Sequence, residues 1–118
     1  MAHIVNIRDW LDDNGELPLA LPVRRRALRL AQLIEAGGPL EVSQIRETLV
    51  ACSSRLQRKS CVGLLWVEKA RDERIYAYCM LCQREEIFIS GWQDTIWANG
   101  PMDPVVRERY VAPAQIFN

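Results

Sequence analysis

The sequence predicts an α+β chain in which N-terminal helices pack on a small antiparallel β-sheet whose hairpin ends are pinned by a four-cysteine site. Three observations carry this reading. Apolar residues recur at helical spacing only within the first 40 positions; short aromatic and aliphatic runs take over after Glu41; and Cys52, Cys61, Cys79 and Cys82 bracket two of those runs. The expected organisation is a helical segment over 1–40, a β-module over 41–100 and an extended tail over 101–118.

The first helix is expected over residues 6–13, where Ile7, Trp10 and Leu11 fall at i, i+3 and i+4 and Asn14-Gly15 follows as a stop. Pro18 and Pro22 then interrupt regular structure, and Pro22 also suits the first turn of a helix, where its missing N–H has no partner to lose. From Val23 to Ala36, the residues Val23, Ala27, Leu30, Ala31 and Ile34 make one apolar stripe opposite Arg25, Arg29 and Gln32. Gly37-Gly38-Pro39 should end this helix, with a glycine in the left-handed cap conformation.

Thr48 to Cys52 is a candidate strand. Val62 to Val67 and Ile75 to Tyr78 are stronger ones, and the polar stretch between them makes the pair a hairpin. Glu86 to Ile89 adds another strand. After a bend at Ser90-Gly91, the stretch to Trp97 reads as a loop laying Trp92 and Trp97 on the sheet, so packing is their first assignment. Pro101, Pro104 and Pro113 with few long apolar side chains suggest the extended tail.

With 118 residues, 49% hydrophobic and 25% charged, the chain has enough apolar material for one modest core. A β-module made from about half of it would usually need a metal or disulfide staple. No apolar run approaches the roughly 20 residues needed to span a bilayer. Met1-Ala2-His3-Ile4-Val5 lacks the basic start and long apolar run of a signal peptide. The expectation is a cytoplasmic protein without a membrane partner, where four cysteines favour metal over disulfides.

The cysteine spacing is Cys52-x8-Cys61, seventeen residues, then Cys79-x2-Cys82. A C-x2-C pair at a strand end lets two thiolates converge on one ion, and the hairpin returns the chain so that Cys61, at the start of one strand, meets Cys79 at the end of the next. Zn2+ suits four thiolates in a tetrahedron, and such binding contributes on the order of 10 kcal/mol to folding in small metal domains, so loss of one ligand is expected to unfold the module. An iron centre has the same ligand inventory. The other readings of these thiols are small buried hydrophobes at Cys52 and Cys61 and thiol redox chemistry at Cys79 and Cys82. Redox chemistry favours a first thiol at a helix N-terminus, whereas Glu85, Glu86 and a β-run follow here. Gln83 stands where such turns often carry glycine.

Cys52 with the basic stretch to Cys61, Cys61-Val62-Gly63, Cys79-Met80-Leu81-Cys82 and Ile89-Ser90-Gly91-Trp92-Gln93-Asp94-Thr95-Ile96-Trp97 together resemble a group of small prokaryotic proteins without an assigned activity, built as zinc-ribbon variants. The resemblance covers residues 48 to 98. It implies a metal-stapled β-module and no particular activity.

Net charge is zero, with 15 basic and 15 acidic residues, so no global field draws the chain onto nucleic acid or membrane. Between residues 20 and 60, however, eight basic residues face only Glu35, Glu41 and Glu47. Arg55, Arg58 and Lys59 lie between the first two cysteines, where a zinc ribbon can present them to nucleic acid; the competing reading is a solvated loop. Arg24, Arg25 and Arg26 point about 100° apart on a helix and make no flat patch. His3 is the only histidine, no metalloprotease, nucleophile-elbow or phosphate-loop motif occurs, and adjacent Glu85 and Glu86 would face opposite sides of a strand. The expected function is therefore a non-catalytic, zinc-stabilised module that binds a protein partner or a second copy, with nucleic-acid binding and thiol redox exchange as alternatives.

Overall fold

The computed structural model describes residues 2–100. One α-helix covers one face of a five-stranded mixed sheet whose strands run, from edge to edge, as residues 2–6, 86–90, 75–79, 64–69 and 45–51. In chain order the elements are β1 (Ala2–Asn6), a 3-10 turn (Ile7–Trp10), α1 (Leu21–Gly37), β2 (Ile45–Ala51), β3 (Arg55–Leu56), β4 (Lys59–Ser60), β5 (Leu64–Lys69), β6 (Ile75–Cys79), β7 (Glu86–Ser90) and a second 3-10 turn (Trp92–Asp94). The tail expected over 101–118 lies outside the described residues.

Period-two patterning dictates the centre of the sheet. Leu65, Val67, Ile75, Ala77, Ile87 and Ile89 point to the face beneath α1 and are buried, while Trp66, Glu68, Tyr76, Tyr78, Glu86 and Phe88 alternate to the other face and stay half-buried. β5 and β6 form the expected hairpin, Trp66 opposite Tyr78 and Val67 opposite Ala77; β6 then pairs antiparallel with β7. α1 answers with Ala27, Leu30, Ala31, Leu33 and Ile34, all buried, as its 3.6-residue stripe requires. No helix is long and apolar enough to cross a membrane among the described residues.

The first expected helix does not form. Ala2–Asn6 is instead a strand paired in parallel with β7, which makes the sheet mixed rather than antiparallel, and His3 lies opposite Ile87 rather than at a loose terminus. The spacing of Ile7 and Trp10 is met by a single 3-10 turn: the Asn6 side chain accepts from the Arg8 amide and the Leu11 amide returns to the Arg8 carbonyl. One turn gains too few hydrogen bonds to sustain a helix, whereas parallel pairing gives five residues a full ladder on β7. β2 begins at Ile45, earlier than the expected Thr48, and is irregular past Glu47, where Thr48 turns its hydroxyl to the Leu65 carbonyl at 2.7 Å.

The C-terminus of α1 also departs from expectation. Gly38 remains right-handed (φ −56°) rather than taking a left-handed cap. Its glycine is needed for space, because a Cβ there would stand 2.1 Å from the Ala98 carbonyl oxygen. The helix end is closed by Lys69, whose buried ammonium donates to the Gly38 and Leu40 carbonyls at 3.0 and 2.9 Å and sits 4.3 Å from the Trp92 ring centre. Trp92 and Trp97 are both buried, in agreement with a packing role.

Candidate metal centre

Two chain connections meet at one end of the sheet. The β2-to-β5 connection carries Cys52 and Cys61; the β6-to-β7 connection carries Cys79 and Cys82. Their four sulfur atoms lie within 4.8 Å of one another. Cys52 Sγ is 3.7 Å from Cys82 Sγ, and Cys61 Sγ is 3.7 Å from Cys79 Sγ, so each connection contributes one thiol to each close pair. These are not disulfides, whose sulfurs would stand about 2 Å apart.

The wide Cys52-x8-Cys61 spacing closes because the intervening residues fold back on themselves. β3 and β4 pair as a miniature ribbon around Gln57 and Arg58, both left-handed (φ 53° and 70°), the backbone of a tight hairpin turn. The Cys61 amide donates to the Ser54 carbonyl and the Cys52 amide to the Gly63 carbonyl, both at 2.9 Å, which brings the two cysteines side by side. In the second connection, Gln83 takes the left-handed conformation (φ 59°) itself, and the Gln83 amide closes the turn on the Cys79 carbonyl at 3.0 Å. The missing glycine therefore costs backbone strain but leaves the turn intact.

Every sulfur has a backbone amide directed at it: Ser54 to Cys52, Gly63 to Cys61 and Arg84 to Cys82 at 3.4 Å each, and Cys82 to Cys79 at 3.5 Å. Such donors favour thiolate over thiol. The Arg84 amide, outweighing burial, brings Cys82 down to about 6, and neighbouring thiols act in the same sense. Burial drives Cys52 in the opposite direction, well above the ordinary thiol range. Four thiolates this close repel one another, and a cation among them relieves that repulsion. Four thiolates around one ion with metal–sulfur bonds of about 2.3 Å stand about 3.8 Å apart, which matches the two close pairs. The four cysteines are thus positioned to hold a metal ion.

Gly63 completes the fit. A Cβ at this position would lie 2.8 Å from Cys79 Sγ, 3.0 Å from Leu81 Cβ and 3.4 Å from Cys61 Sγ, so the chain passes the cluster only because no side chain is present.

A clasp that the sequence reading did not find ties the cluster to α1. Arg29 donates both terminal nitrogens to Glu85, at 2.9 Å each, and one of them also to the Ala51 carbonyl at 2.7 Å. Glu85 accepts in addition from the Ser53 amide (2.7 Å) and hydroxyl (2.9 Å), next to Cys52. Burial acts to raise the Glu85 carboxyl, but these donors together hold it below the usual carboxylate range. Glu85 is thereby a structural anchor between the two cysteine-bearing connections.

Arg55, Arg58 and Lys59 are all exposed on the β3–β4 ribbon; Arg55 donates to the Arg58 carbonyl at 3.2 Å, which leaves Arg58 and Lys59 projecting into solvent. Arg84 joins this end of the molecule through Ser54 Oγ at 3.0 Å.

No family model, curated protein or solved structure matches the chain. The chemistry of the site therefore rests on its own geometry. Cys82 belongs with Cys52 rather than with Cys79, no helix begins at Cys79, and Cys79 is 1% exposed. Cys61 and Cys82 are half-buried and Cys52 and Cys79 buried, so the four thiols differ in access.

Proposed function

We propose that this chain is a zinc-stapled, non-catalytic binding module that docks a basic, apolar segment of a partner protein on the open face of its sheet. The observation carrying the reading is that face. Cross-strand pairing lines up Trp66, Tyr78, Tyr76 and Phe88, extended to Ile4 on β1, on the side away from α1. Tyr76 stacks on Tyr78 and on Phe88 with ring centres 4.8 and 4.6 Å apart, and the Arg74 guanidinium lies 4.5 Å from the Phe88 ring centre, so the face carries a row of stacked aromatic rings of the residue type enriched at protein interfaces. Glu47, Glu68 and Glu86 pair opposite Trp66, Tyr76 and Tyr78 on the same face. Carboxylates among aromatic rings favour arginine or lysine with an apolar stem.

Zinc is supported by four thiolate-capable ligands whose sulfurs lie within 4.8 Å of one another, spacings suited to one ion; a cubane of four irons would hold its thiolates further apart. A single iron uses the same ligands. Elemental analysis with a thiol count before and after denaturation separates the cases: one equivalent of zinc with masked thiols supports the reading, and metal-free protein with four titratable thiols overturns it. For the partner, a photo-crosslinking residue at Tyr78 should give a discrete protein adduct absent when it is placed at Arg25. The purified adduct protein should then bind wild type and lose affinity for a Trp66→Ala, Tyr78→Ala variant. Adducts indistinguishable between the two positions would refute the docking face.

The exposed bases of the β3–β4 ribbon favour a second reading, nucleic-acid binding at the metal end. A mobility-shift titration across salt tests it: affinity that falls steeply with salt and is lost in Arg58→Glu, Lys59→Glu supports it, and salt-independent or absent binding removes it. Thiol redox exchange predicts fast alkylation of Cys82 in the purified protein; thiols that react only after chelation would sink that alternative.

A further inference from the structure

We infer that the cleft between β1 and α1 is a binding site for a small organic monoanion with a planar apolar body. The cleft has a volume of about 540 Å³, within the size range of small-molecule sites, and is open to solvent on one side. Its floor is Val5, Leu30 and Ile87, and the half-buried indole of Trp10 forms one wall. Ser53 and the Arg29–Glu85 clasp close the side toward the cysteines.

The lining carries one surplus positive charge. Arg29 and Glu85 neutralise each other in a bidentate pair. Arg26 lies three residues earlier on the same side of α1 and also lines the cleft, yet among the described residues it makes no hydrogen bond or ion pair. His3, on the neighbouring strand, adds a second polar group to the lining and likewise has no such partner among the described residues. Among the described residues, no unpaired carboxylate lines the cleft. An apolar floor bordered by an exposed, unpaired cation selects a molecule with one flat apolar part and one carboxylate or sulfonate. Burial of the flat part supplies affinity and Arg26 sets its orientation. Val5 and Leu30 are brought together here by the parallel pairing of β1, so the site exists only because residues 2–6 form a strand rather than a helix.

This inference is independent of any partner on the opposite sheet face. Its test is a titration of the metal-loaded full chain with 2-naphthoate, followed by two-dimensional amide NMR and by calorimetry. Saturable one-to-one binding is expected, with shifts confined to Val5, the Trp10 indole N–H, Leu30 and Ile87. Arg26→Glu should weaken binding by up to about tenfold, the order expected when an exposed attractive charge pair is turned into a repulsive one. Arg25→Glu makes the same change in net charge on a different side of the helix and should leave the affinity near wild type. The neutral isostere 2-naphthamide should bind more weakly than the acid. No saturation at millimolar probe, equal binding of acid and amide, or equal losses in Arg25→Glu and Arg26→Glu would each overturn the assignment.

Discussion

Gly63→Ala tests the metal centre without touching a ligand. Gly63 lies outside the left-handed backbone region, so alanine there restricts the unfolded chain and would by itself stabilise the protein by about 0.4–1 kcal/mol. The added methyl meets Cys79 Sγ at 2.8 Å and Leu81 Cβ at 3.0 Å, where ordinary contact begins near ~3.5 Å. Leu81 is exposed and can shift, but Cys79 ends a central strand at 1% exposure and can yield only by distorting β6 or opening the cluster. Overpacking of this kind costs about 1–3 kcal/mol, and disturbance of groups that orient ligands lowers metal affinity by about 10–100-fold. The expected variant is net destabilised and surrenders its metal to a chromogenic chelator at lower concentration than wild type. A variant at least as stable as wild type, with metal retention unchanged, would refute the close packing of the chain against the sulfur cluster.

Three further outcomes follow from the same contacts. Lys69→Met leaves two carbonyls at the end of α1 without their charged donor, and a loss of about 2–3 kcal/mol should appear as a lower urea midpoint at unchanged slope. Arg29→Met strands the Glu85 carboxylate, 9% exposed, and should cost about 3 kcal/mol together with weaker metal retention, whereas Arg29→Met with Glu85→Gln should recover part of the loss. Burial, and then the hydrogen bond to Glu86, push the Tyr76 phenol up to about 12. The native state therefore holds that proton longer than the unfolded chain. Its contribution is complete below about pH 10, the unfolded value, and is lost as pH rises toward 12. Burial, and then Glu68, raise the Tyr78 phenol as well, so absorbance of tyrosinate at alkaline pH should show late-titrating phenols, and Tyr76→Phe should remove one of them.

What the sequence revealed and what it hid divide along physical lines. β5, β6 and β7 were legible because each alternates strictly between buried and half-buried faces; that Trp66, Tyr76, Tyr78 and Phe88 share one side follows only from the strand pairing. The four cysteines were legible from spacing. β1 was not, because its partner β7 lies more than eighty residues away and a parallel pairing leaves no turn in the sequence to announce it. The β3–β4 ribbon was hidden for a different reason: Ser54 to Ser60 has no apolar alternation, and its turn uses Gln57 and Arg58 where asparagine and glycine would advertise a hairpin. Arg29 looked like one more cation on the solvated side of a helix. Only the fold brings Glu85, 56 positions further on, within its reach.

The same architecture narrows what the metal has to do. Leu33, Ile34, Leu65, Val67, Ile75 and Ile89 are fully buried between α1 and the sheet, and of these six Leu65 pairs directly opposite a cysteine, Cys79. Cys52 and Cys79 sit at the margin of this core, and as neutral thiols they can remain in apolar surroundings. Removing the ion should therefore free the two connections, residues 52–63 and 79–85, rather than melt the sheet, a narrower outcome than the unfolding expected for a module held by its metal alone. Amide exchange after chelation should show lost protection in those two stretches and retained protection in β5, β6 and α1; uniform loss would mean that the core cannot stand without the ion. The two candidate surfaces then respond differently. The β3–β4 ribbon hangs between Cys52 and Cys61, so binding through Arg58 and Lys59 should disappear with the metal. Docking on Trp66, Tyr78 and Phe88, carried by strands that keep their core, should survive chelation.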